Sequence, residues 1–84
     1  MYKNRAVDGR NNISGERIAE SRQAKRPLMS QRALADALQL SGLDLDKNAI
    51  QRIESGQRFV TDIELRAIAQ VLCVSYEDLL GKLS

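Results

Sequence analysis

Four polar side chains near the middle of the chain, Lys47, Asn48, Gln51 and Arg52, fall at i, i+1, i+4 and i+5. Ala49 and Ile50 stand between them and Ile53 follows. A helix over 47–55 would therefore turn the apolar set inward and the polar set outward. Ammonium, amide and guanidinium groups are the ones that read donors and acceptors on base edges in the major groove of duplex DNA. Most charged helix faces are merely solvated, so the setting of this helix has to decide between the two readings.

Other chemistry is poorly supplied. The chain has no histidine and a single cysteine, Cys73, which excludes Ser-His-Asp and Cys-His nucleophiles and a zinc cluster. Asp44/Asp46 and Glu77/Asp78 lie in a loop and beside a helix start, where carboxylates serve helix ends. No glycine-rich loop has Walker or Rossmann spacing. The expectation is a protein that is not an enzyme, with no cofactor, no metal and no small-molecule substrate. Cys73 has no internal disulfide partner and is expected as a small buried hydrophobe.

At 84 residues the chain suffices for one domain with one core. An apolar share of 43% beside 29% charged residues places it among globular chains. Aromatics are scarce, and Ala, Leu and Ile carry the apolar load, which favours helices. Residues 1–32 hold eight Lys/Arg against three Asp/Glu, whereas 33–84 hold five against eight. That asymmetry suits a basic face for a polyanion. No apolar run reaches membrane-spanning length and no signal peptide opens the chain, so a cytoplasmic setting without a membrane partner is expected.

Residues 1–12 show no hydrophobic period and read as a flexible N-terminal arm; 13–84 read as the domain. Lys3, Arg5 and Arg10 of the arm could meet DNA or belong to a plain tail. A first helix over about 14–24 carries Ile18, Ser21 and Arg22 on one face, with Asn12 or Ser14 as its cap, and Pro27 closes it. Ser30 caps a second helix whose stripe is Leu34, Ala35 and Leu38. Gly42 breaks it, and Leu43 and Leu45 tuck back toward the core. Asp46 caps the helix over 47–55, and Gly56 stops it. Thr61 and Glu64 form a capping box ahead of Ile63, Leu65, Ile68, Ala69 and Leu72. Ser75 caps a last short helix, with Leu79 and Leu80 closing the core. The prediction is an all-α, five-helix orthogonal bundle. SQRALADAL, a turn and KNAIQRIESG supply the brace and reader of a helix-turn-helix.

At these residues the chain resembles the lambda-repressor-like Cro/repressor (XRE) family over 13–81, roughly four-fifths of its length. The resemblance is carried by Ile18-x-x-x-Arg22, Ser30-Gln31-x-x-Leu34-Ala35, Ile50-Gln51-Arg52-Ile53-Glu54-x-Gly56-x-Arg58, Thr61-x-x-Glu64-Leu65 and Leu72-x-Val74-Ser75, in order. It implies sequence-specific double-stranded DNA binding by a transcriptional repressor. It implies base reading by Lys47, Asn48 and Arg52, with Gln51 on the same face, and phosphate contacts by Gln31, Gln57 and Arg58. It also implies a structural salt bridge between Arg22 and Glu54. The chain departs from the family in its long connection before the 47–55 helix. Cys73 also stands where a glycine is usual, at a cost of about 1 kcal/mol in a left-handed cap. One helix reads few base pairs, so a homodimer on a pseudo-palindrome is expected, half-sites about 34 Å apart, with residues 76–83 as the dimer surface. The alternative is an antitoxin or protein-interaction module on the same fold.

Overall fold

The computed structural model describes residues 9–81, which form five α-helices and no strand: α1 (Gly15–Gln23), α2 (Gln31–Leu40), α3 (Lys47–Glu54), α4 (Asp62–Leu72) and α5 (Tyr76–Leu80). None of these helices is long and apolar enough to cross a membrane.

Local side-chain chemistry fixes most helix starts. Ser30 Oγ accepts from the Ala33 amide at 3.0 Å and Asp46 Oδ1 from the Ala49 amide at 2.8 Å. Thr61 with Glu64, and Ser75 with Asp78, close reciprocal capping boxes. Each cap satisfies an amide that the first turn leaves without a partner. At α1 the two candidates separate. Asn12 Oδ1 accepts from the Gly15 amide at 2.7 Å, while the Ser14 hydroxyl is buried and makes no hydrogen bond among the described residues.

Three helix ends close in one way. After α2, the Gly42 amide donates to Gln39 O and the Leu43 amide to Leu38 O. After α3, the Gly56 amide donates to Ile53 O and the Gln57 amide to Arg52 O. Both are Schellman ends, which require a left-handed residue; Gly42 and Gly56 have φ of 89° and 82°. After α4 the same pattern falls on Cys73, at φ 57°. Cys73 is exposed there, not buried as expected. Its Sγ donates to Gln70 O at 3.7 Å, on the exposed end of the helix.

The core comprises Ile18, Leu34, Leu38, Ile50, Ile53, Ile68, Leu72 and Leu79, all fully buried, with Ala35, Leu45, Leu65 and Ala69 beside them. It draws on every helix, and α3 packs against both α1 and α2. Leu45 is in the core and Leu43 packs on its edge, so the connection 41–46 is anchored. Ile63 and Leu80 depart from expectation and stand exposed. On α4 the buried stripe is Leu65, Ile68, Ala69 and Leu72; Ile63 lies two residues before it, on the far side of the helix.

Candidate nucleic-acid interface

On α3, Ile50 and Ile53 are buried, Ala49 is half-buried, and Lys47, Asn48, Gln51, Arg52 and Ser55 are exposed. At 100° per residue, 47, 51, 55, 48 and 52 span a contiguous arc of about 140° opposite the buried side. Among the described residues no hydrogen bond or ion pair engages the side chains of Lys47, Asn48, Gln51 or Arg52. Ser55 Oγ donates to Arg52 O at 3.2 Å and is the one member turned back on its helix. The arc holds no acid. The eight residues of α3 rise about 12 Å along its axis, and a helix about 10–12 Å in diameter fits the major groove, about 12 Å wide.

The inward acid of α3 is Glu54. Arg22 grips it in a fork: Nε donates to Oε2 at 2.8 Å and Nη2 to Oε1 at 3.0 Å. Arg22 Nη1 donates to Met29 O at 3.0 Å. Gln31 Nε2 adds a bond to Glu54 Oε1 at 2.9 Å. Arg22 is buried, with 8% of its surface exposed, so this is a desolvated pair with extra hydrogen bonds, the arrangement that offsets its desolvation. It ties α1, the start of α2 and the end of α3 together.

A second lacing comes from residues expected in the free arm. The Asn11 amide donates to Gly56 O at 2.8 Å and Asn11 Nδ2 to Gln57 O at 2.9 Å. Asn12 is buried, and its Nδ2 donates to Ile53 O at 2.9 Å and Arg58 O at 2.8 Å. Arg10 Nη2 donates to Glu54 O at 2.7 Å. The carbonyls that α3 leaves open at its end are thus answered by residues 10–12, and the arm cannot include them. The rest of the expected arm, 1–8 with Lys3 and Arg5, lies outside the described residues. Gly15 is part of this junction: a Cβ there would collide with Ile53 O.

The residues expected on phosphates divide. Gln57 is exposed. Gln31 is occupied by Glu54. Arg58 is occupied by Glu64, Nη1 to Oε1 and Nη2 to Oε2 both at 2.9 Å, and by Phe59 O. Arg58 holds the Glu64 carboxyl below its ordinary range against the opposing effect of burial, and Glu64 in turn raises the Arg58 guanidinium. The same Glu64 Oε1 accepts the Thr61 amide, so one carboxylate serves both the capping box and the arginine. Sequence reasoning passes over Arg32, next to Gln31 on α2, which is exposed and makes no ion pair among the described residues. It also misses Asn11, and it places Asn12 only as a candidate cap of the first helix, without its bonds to the carbonyls of Ile53 and Arg58. No family model matches this chain, and no curated protein or solved structure is found similar to it.

Proposed function

We propose that α2 and α3 form a helix-turn-helix within an orthogonal, lambda-repressor-like bundle, and that the protein binds double-stranded DNA sequence-specifically as a cytoplasmic repressor. The observation that carries this reading is the acid-free outer arc of α3, four polar side chains without partners among the described residues, on a helix braced from behind. Lys47, Asn48, Gln51 and Arg52 read base edges, each good bidentate contact discriminating by about 1–3 kcal/mol. Gln57 and Arg32 hold phosphates, which set register and affinity. Gln31 and Arg58, expected on phosphates, act instead by fixing Glu54 and Glu64. An arc about 12 Å long spans few base pairs, so the protein works as a homodimer on two half-sites and represses by occupying the operator.

The test is a titration of random-sequence duplexes at two salt concentrations, with Arg52→Ala alongside. Expected are an enriched sequence class, an affinity that falls steeply with salt, and a variant that loses the preference while keeping weak nonspecific binding. No preference in the wild type and an indifferent variant would overturn the reading. The exposed apolar residues of α4 and α5 would then favour a protein-interaction module, such as an antitoxin.

A further inference from the structure

Ile63, Tyr76 and Leu80 are 72%, 51% and 42% exposed. With Leu65 they line a groove of about 410 Å³ between α4 and α5, and Asp62 and Arg66 complete its lining. Tyr76 and Leu80 are one turn apart on α5, so the apolar residues present a continuous strip along the seam.

The charges at the groove are arranged unusually. Asp62 and Arg66 are four residues apart on α4 with the acid nearer the N-terminus, the spacing and order that favour an ion pair within a helix. Among the described residues neither forms one. Asp62 Oδ1 accepts the Ile63 amide at 2.7 Å, and Arg66 is exposed. One negative and one positive group therefore flank Ile63 along the helix, both available to something outside the chain. A two-fold interface sets residue i on j and j on i, so its patch must complement itself. An apolar centre with opposite charges on either side meets that condition. A purely acidic or purely basic partner would meet one favourable charge and one unfavourable charge.

We propose that the α4–α5 groove is the face on which two copies of this chain pair, with α4 antiparallel to its symmetry mate about the level of residue 64, midway between Asp62 and Arg66, and with Ile63 beside the axis. Asp62 then faces Arg66 of the second copy, and the reverse. Ile63 enters the second copy's groove beside Tyr76 and Leu80. The inference rests on the proposed function only for what the dimer is for: two α3 arcs presented to two half-sites.

The experiment is sedimentation over a concentration series without DNA, on the wild type, Ile63→Asp, Asp62→Arg and Asp62→Arg/Arg66→Asp, each checked for an unchanged helical spectrum and melt. The wild type is expected to rise from one 9.4 kDa chain toward two. Ile63→Asp stays a monomer, Asp62→Arg dimerises more weakly, and the double reversal recovers the wild-type curve. A wild type that stays monomeric, a dimer that survives Ile63→Asp, or a double reversal no better than Asp62→Arg would overturn the proposal. DNA binding separates this outcome from the reading above. Ile63→Asp keeps the base preference on a single half-site and loses about a hundredfold on a paired site, since it can no longer bind both ends at once. A wild type that dimerises without any DNA preference leaves the interface standing and removes only the function.

Discussion

At its C-terminal end α3 is met by Arg10, Asn11, Asn12, Arg22 and Gln31, which bond to Glu54 or to carbonyls of residues 53–58. At its N-terminal end it has the single Asp46 cap, an exposed bond reached through the connection 41–46. One helix of eight residues thus has a laced end and a lightly held end. Local opening follows the number and burial of such bonds, so the first turn of α3 opens more readily than the last. On the proposed function this separates the base-reading residues. Arg52 projects from the fixed half and discriminates sharply. Lys47 and Asn48 project from the first turn, which has the exposed Asp46 cap in place of such bonds and adjusts more readily even though Leu45 anchors the connection before it.

The largest effect is expected from the clamp. Arg22→Met leaves Glu54 buried with Gln31 as its remaining side-chain donor, at a cost of about 3–5 kcal/mol. Because a domain of this size has about 5–15 kcal/mol in all, urea melts should show most of the stability gone. Arg22→Met/Glu54→Leu should lose less than the single change, since no charge is stranded. A double variant as damaged as the single would show that the bonds to Met29 O and from Gln31 matter more than the charge. Next comes Asn12→Ala, which strips partners from Ile53 O, Arg58 O and the Gly15 amide for about 2 kcal/mol. Amide exchange should quicken at the α3 end and at the start of α1, while Lys47–Ala49 keep wild-type rates relative to global unfolding. Equal acceleration at both ends of α3 would mean that the helix opens as one unit and has no distinct fixed end.

Much of the frame was legible because it is local. Ser30, Asp46, Thr61–Glu64 and Ser75 cap through bonds that span three residues, and Gly42 and Gly56 mark ends that only a positive φ can close. The outward set of α3 followed from its period. The Arg22–Glu54 clamp came through the family resemblance, not through any spacing. Illegible were the bonds from Arg10, Asn11 and Asn12, which cross more than forty residues to reach backbone carbonyls. Carbonyls have no sequence signature, so an Asn-Asn pair in a polar stretch reads as a tail. Gln31 and Arg58 were read without their carboxylate partners for a related reason. Their chemistry suits phosphate equally well, and nothing in the sequence says that Glu54 and Glu64 stand within 3 Å of them. Periodicity failed at Ile63 because it counts apolar residues and does not know which face the neighbouring helix leaves open.

The smallest effect lies at the lightly held end. Asp46→Ala removes the side-chain acceptor of the Ala49 amide and should cost about 1 kcal/mol, the usual value of an N-cap. The cap is exposed, so water can serve the freed amide and no buried group is stranded. Exchange should quicken over 47–50 and stay unchanged from Arg52 to Arg58, the mirror image of Asn12→Ala. On the proposed function, Asp46 is also a negative charge at the tip that enters the groove. Its removal should raise nonspecific DNA affinity while discrimination at the bases read by Lys47 and Asn48 falls and discrimination at the base read by Arg52 holds. A loss of about 2 kcal/mol or more in the melt, or a fall in discrimination at all positions alike, would show that Asp46 holds α3 as firmly as the bracket at its other end and would remove the asymmetry.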